Sequence, residues 1–316
     1  MAEELTGLNQ PPARHVIWVV AQGLGADSLD FYDGEGNGPK VEAPNLKAMA
    51  RLGVRVGHCS GLDRRDPGHS VAYLLSSGLA GDGDPAAVRR QAGDQWLPRR
   101  ASQRDKMWLS LLPHAELDWV VQANDDLPRC ELAVNLPSPA AGIHWPDLIG
   151  ASPRVWVDNL EDGEEMQSFV GRIIDRFPGV ATQIRQGNAP EGAMEAWLEW
   201  LGDAFLRSVW YSLPRSTGMM AFLYHPGPEW YGRQAGEAGY IRGVEAVDDL
   251  VGRLLVLQDH DQVGGDMLVV VSGDYAWSQA AENRVPVLIL GPGGESGLRV
   301  EQCSLADVTR LVAASL

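Results

Sequence analysis

Asp266-Met267-Leu268-Val269-Val270-Val271-Ser272-Gly273-Asp274-Tyr275-Ala276-Trp277 is the stretch whose reading decides the fold. Five apolar residues in a row, several of them β-branched, predict a strand covered on both faces, as in parallel sheets. The strand runs into a turn of small residues that carries one carboxylate, Asp274. In open α/β sheets ligands bind just beyond the carboxyl ends of strands, so Asp274 is the first residue to suspect of chemistry. An Asx-turn or a helix N-cap would use the same aspartate without any chemistry.

Outward from this stretch, strand and helix patterns alternate. Val16–Val20 and Met219–Tyr224 read as further buried strands, and Val285–Leu290 as another followed by Gly291-Pro292-Gly293. Arg154–Val157 reads as a strand too. Ala43–Gly53 reads as a short amphipathic helix with proline near its start and glycine at its stop. Met166–Phe177, Pro190–Leu213, Tyr240–Leu257 and Ser304–Leu316 read as helices, the last with a serine cap. Along Pro190–Leu213 the residues Trp197, Leu198, Leu201, Phe205 and Trp210 mark an apolar side expected to face the core. The expected fold class is α/β, a mostly parallel doubly wound sheet with helices on both faces. One domain spans residues 14–316. Within it residues 81–153, rich in proline and glycine with one strand at Asp118–Ala123, read as an inserted cap.

Composition narrows the function. The 316 residues are 45% hydrophobic, enough for a sizeable core, and carry a net charge of -16, with a pI near 4.8. Such acidity argues against a nucleic-acid or anionic-membrane partner. Residues 1–14 lack an apolar signal core, and the expectation is a cytoplasmic protein. Three widely spaced cysteines, Cys59, Cys130 and Cys303, encode neither a disulfide framework nor a zinc knuckle. Gln22-Gly23-Leu24-Gly25 after the first strand lacks the third glycine of a dinucleotide fingerprint, Ser28 standing in its place.

The ordered motifs resemble the alkaline phosphatase superfamily, in particular its type I phosphodiesterase/nucleotide pyrophosphatase and cofactor-independent phosphoglycerate mutase branches. Gln22-Gly23-Leu24 resembles that family's Asp-Gly-Leu at the end of the first strand. Ala43-Pro44-Asn45-Leu46 with Gly53-Val54 is similar to its Thr-Pro-Asn-Leu…Gly-Val segment. His225–Gly232 resembles its Asp-x-x-Gly-His-x-x-Gly loop, Ser272-Gly273-Asp274-Tyr275 its Ser/Thr-x-Asp-His, and Val285–Gly293 its V-P-hydrophobic-G-P-G strand. The similarity runs in order from about His15 to Gly293, with little match over 81–154.

The resemblance implies two divalent metals about 4 Å apart that clamp a phosphoryl group for attack. Its metal-ligand positions fall on Gln22, His225, Glu229 and Asp274. Gln22 is a neutral, poorer ligand than aspartate, and Tyr275 replaces a histidine. The late histidine falls among Ala280–Asn283. In the mutase-type alignment His69 stands where the nucleophile belongs, with Ser70 one place away; in the phosphodiesterase-type alignment Arg65 does. Ser70 also reads as an N-cap of the following helix. Arg64 and Arg65 would assist anion binding at that helix start.

Three functions follow. One is a degenerate, catalytically impaired protein that acts as a binding or accessory protein, with no metal. Another is a divergent hydrolase, phosphodiesterase or phosphotransferase acting on a phosphate or sulfate ester, with zinc or manganese on Asp274, His225 and Glu229. A metal-free enzyme using Arg64 and Arg65 is a third. The expected partners are a small phosphorylated or sulfated ligand or another protein. Tyr275 is expected to fill the space of the missing histidine, and Gln22, Ser70, His225, Glu229 and Asp274 to converge on one cleft.

Overall fold

The structure is a computed structural model. It describes residues 12–32, 39–63, 66–79, 85–112, 132–135, 154–157, 190–214, 216–260, 264–277, 283–292 and 296–316. The strand read at Asp118–Ala123 and the helix read at Met166–Phe177 lie outside them, as do Arg64 and Arg65.

The described strands are β1 (His15–Ala21), β2 (Val54–Ser60), β3 (Met107–Leu112), β4 (Leu132–Asn135), β5 (Arg154–Val157), β6 (Met219–His225), β7 (Met267–Gly273), β8 (Val287–Leu290) and β9 (Leu298–Ser304). They form one sheet in the order β5-β4-β3-β6-β1-β7-β8-β2-β9. At its centre β1 pairs in parallel with β6 and with β7, residue for residue over seven positions. The pairs β7–β8, β2–β8 and β4–β5 are antiparallel. The sheet is therefore mixed and mostly parallel.

Both faces are covered, which is why the central strands are apolar at every position rather than at alternate ones. Ile17 and Val19 of β1 point into a core shared with helices α1 (Pro44–Leu52), α5 (Pro190–Ser212) and α6 (Gly227–Gln258). Val16, Trp18 and Val20 point the other way. There they meet α2 (Pro67–Leu75), α4 (Leu97–Gln103) and α7 (Leu305–Ser315). A short helix α3 (Pro85–Ala92) packs beside α2. Two segments of residues 81–153 that the sequence reading did not expect as strands, β3 and β4, continue the sheet beyond β6, and β3 is buried throughout.

Helix α6 is longer than the pattern Tyr240–Leu257 suggests. It starts at Gly227 and breaks at Ala235 and Gly236, where Gly236 takes φ +64°. The break lets Gly239 press against the preceding turn: a Cβ there would stand 2.1 Å from the Tyr231 carbonyl oxygen. Asp248, on the second half of α6, accepts from the backbone N–H groups of Asn45 and Leu46 and from Asn45 Nδ2. It thereby caps α1 from another helix, since Ala43 has no side chain to do so. Helix α7 starts with a capping box between Ser304 and Asp307. Trp210 departs from the expected core role: it is 52% exposed and meets His260 edge-on at 5.3 Å. It stands on the outer face of α5, since Val209 before it and Tyr211, Ser212 and Leu213 after it are buried. Among the described residues no helix is long and apolar enough to cross a membrane.

Candidate functional site

The carboxyl ends of β1, β6 and β7 lie side by side, so the residues that follow them are brought together by register alone. Ala21 pairs with His225 and with Gly273. One step further along, Gln22 follows β1 and Asp274 follows β7. The chain turns sharply after Gln22 at Gly23, whose φ of +79° suits glycine. A Cβ at Gly23 would also crowd Glu229 at 3.1–3.2 Å. Glu229 itself is positioned by its backbone N–H, which donates to the Gln22 carbonyl.

Asp274 is completely buried. Its Oδ1 accepts from the backbone N–H of Gly23 and from that of Tyr275, each at 2.9 Å. Its Oδ2 accepts from the Tyr224 hydroxyl at 2.5 Å. Ser70, also wholly buried, brings its hydroxyl up to this same pair. Burial pushes the Asp274 carboxyl up to about 6, and the hydrogen bonds from Tyr224, Gly23 and Tyr275 pull against it. Burial and the Asp274 charge push the Tyr224 phenol well above its usual range, so it stays a donor.

A second cluster adjoins the first. Tyr275 is 1% exposed, and its hydroxyl accepts from Gln22 Nε2 at 3.3 Å. The same phenol lies within hydrogen-bonding reach of Glu229 and of Arg233. Arg233 pairs with Glu229 one helical turn along α6. Burial, reinforced by the Asp274 and Glu229 charges, holds the Tyr275 hydroxyl protonated far above its ordinary value.

The other residues singled out from the sequence take different places. His225, at the end of β6, turns to the opposite sheet face from Tyr224. Its Nδ1 accepts from the Gly227 N–H at 3.2 Å, which assigns the ring proton to Nε2. It lines a cavity of about 590 Å³ between α5 and α6, with Tyr231, Arg242, Asp249 and Arg253 around it. Burial alone lowers its pKa to about 4. Ser70 is not the cap of α2; Asp66 is, its carboxylate accepting from the His69 N–H at 2.7 Å. The local reason is Pro67, which takes the first helical position and moves the start three residues ahead of Ser70. His69 is half-buried in the first turn. Arg65 is outside the described residues.

Tyr224 and Arg233 are the two participants that the sequence reading passed over. Arg233 stands at i+4 from Glu229, a spacing that signals a helical ion pair. Tyr224 looks apolar at the end of an apolar run, and only the register with β1 shows where its hydroxyl arrives.

The donor set bears on metal binding. Three hydrogen-bond donors occupy both oxygens of Asp274, and a guanidinium occupies Oε1 of Glu229, whose Oε2 is buried without a hydrogen bond. Among the described residues no group of three or more His, Cys, Asp or Glu side chains is placed to hold a metal ion.

Comparison with known proteins adds relatives of fold. No family model matches the chain. A phosphopentomutase from Shewanella denitrificans is 30% identical over 164 residues, covering 50% of this chain and 37% of that protein. The match thus takes in little more than a third of the curated relative's length. The crystal structure of a protein in the alkaline phosphatase superfamily from Vibrio parahaemolyticus superposes with a TM-score of 0.61 at 11% identity, over 98% of this chain and 67% of that one. An inactive variant of murine ectonucleotide pyrophosphatase/phosphodiesterase 5 in complex with AMP gives 0.52 at 12% identity, over 95% and 94%.

Proposed function

The chain has the alkaline phosphatase superfamily fold, and from that premise we propose a binding or accessory protein whose ester-hydrolysing centre is degenerate and metal-free. One observation carries the reading: the surviving family carboxylate, Asp274, is spent on holding the protein together. A ligand aspartate must offer lone pairs to a dication, whereas this one is sealed by Gly23, Tyr275 and Tyr224. Glu229 faces the positive charge of Arg233, which would repel an incoming dication. Gln22 offers an amide where the family has a carboxylate. His225 points to the far face of the sheet, into the α5–α6 cavity. These residues do not fit a two-metal centre, and no catalytic step is derived through one.

The carboxyl-end edge of β1, β6 and β7 is where α/β proteins receive small ligands. The reading gives the protein a phosphorylated or sulfated small molecule, or a protein partner, as its occupant. The test is hydrolysis of p-nitrophenyl phosphate, bis-p-nitrophenyl phosphate and p-nitrophenyl sulfate with added zinc, manganese or magnesium. Rates at background support the proposal; turnover abolished by Asp274→Ala overturns it.

A second reading, a divergent ester hydrolase, draws support from Ser70, whose buried hydroxyl lies near the Asp274 and Tyr224 pair without a hydrogen bond of its own. A hydroxyl beside a base is the usual arrangement of an activated nucleophile. Against it, both groups are wholly buried, which leaves a substrate no approach without an opening of the site.

A further inference from the structure

Strands β2 and β9 are parallel neighbours at the end of the sheet, in a register that sets Cys59 directly opposite Cys303. Both side chains enter the same core, beneath α2 and α7. Their thiols are close enough to hydrogen-bond, and neither is in a disulfide. Neighbouring strands stand about 4.8 Å apart, inside the span of about 4.4–6.8 Å between Cα atoms that a disulfide bridges.

We propose that Cys59 and Cys303 form a reversible intramolecular disulfide, a redox-modification site that ties β9 to β2. The order of events follows from exposure. Cys303 lies on the edge strand and is 8% exposed, whereas Cys59 is sealed. Contact with Cys303 and burial push the Cys59 thiol well above its ordinary value, so it is not the first to react. A peroxide oxidises Cys303 first: the sulfur attacks one peroxide oxygen, the O–O bond breaks, and water leaves with formation of a sulfenic acid. The Cys59 sulfur then attacks the Cys303 sulfur, the S–O bond breaks, and the hydroxyl departs as water with the Cys59 proton. Overall two thiols lose two electrons and two protons to one peroxide, which becomes two waters. A thiol reductant reverses the change. The cross-link would anchor the end of β2, from which the chain runs through Leu62, whose N–H donates to the Asp274 carbonyl.

Thiol counting on the full chain tests this. The chain has three cysteines. Folded protein is treated with hydrogen peroxide, quenched, then denatured and labelled with N-ethylmaleimide. The expected mass shows one label after oxidation and three after dithiothreitol, with a peptide pair joining Cys59 to Cys303. In Cys130→Ser the expected counts are zero and two. Retention of all labels, sulfinic acid at Cys303 without a cross-link, or a disulfide that includes Cys130 would overturn the proposal. Cys130→Ser keeps the test decisive, because its only remaining thiols are the paired ones.

Discussion

The Tyr224 hydroxyl donates to the Asp274 carboxylate across the ends of β6 and β7, at 2.5 Å and with both residues out of contact with solvent. With the N–H groups of Gly23 and Tyr275, the contact offsets part of the cost of burying a carboxylate at the centre of the fold. It also makes the pair a stability determinant.

Tyr224→Phe removes one donor and leaves an oxygen of Asp274 short of a partner in the interior. An unsatisfied buried group of this kind costs about 1–3 kcal/mol, more when charged. The expected result is a fall of about that size in unfolding free energy by urea titration. The Asp274 pKa should rise as well, since Tyr224 is the largest of the hydrogen bonds lowering it.

Stability should depend on pH with two opposed contributions. Asp274 titrates near 6 when folded against an ordinary 3.8. Between those values the folded chain holds the extra proton, so its contribution falls as pH rises from about 4 to 6. His225 and His15 are both lowered from 6.5 to about 4, mainly by burial. They take up protons on unfolding, and their contribution rises over about pH 4 to 6.5. At about 1.4 kcal/mol per unit each shift is worth about 3 kcal/mol, and two histidines outweigh one aspartate. Net stability from these groups should rise with pH across that window. Subtracting the curve for Asp274→Asn isolates the aspartate: wild type minus variant should fall by about 3 kcal/mol between pH 4 and 6.5, whereas a flat or rising difference would contradict the burial argument.

Asp248→Ala strips α1 of its borrowed cap. Three donors, two of them backbone, lose their acceptor. Cap removal costs about 0.5–2 kcal/mol, and faster amide exchange at Leu46 should accompany the loss.

Much of the fold could be read in advance because β1, β6 and β7 are covered on both sides, and uninterrupted apolar runs are the sequence mark of such strands. Edge strand β9 escaped notice for the converse reason. Only Val300 and Cys303 of Leu298–Ser304 are buried, with Arg299, Glu301 and Gln302 exposed, and nothing in it stands out from a polar loop. β3 was hidden by the proline- and glycine-rich text on either side of it. At the site, Asp274, Gln22 and Glu229 could be named because motif order points to them. What they do could not, since Tyr224 reaches Asp274 from a residue 50 positions away. His225 illustrates the same limit: motif position marks it, but strand alternation sends it toward α5 and α6.

Metal content tests the central claim most directly. Protein purified without chelators, then exposed to excess zinc and desalted, is assayed by elemental analysis beside the double variant Gln22→Asp, Tyr275→His. Wild type is expected to retain well under one zinc per chain and to unfold at the same temperature with or without a chelator. The double variant, with two family ligands restored, should hold more zinc than wild type. About one zinc per wild-type chain, lost together with ester hydrolysis on Asp274→Ala, would contradict the account.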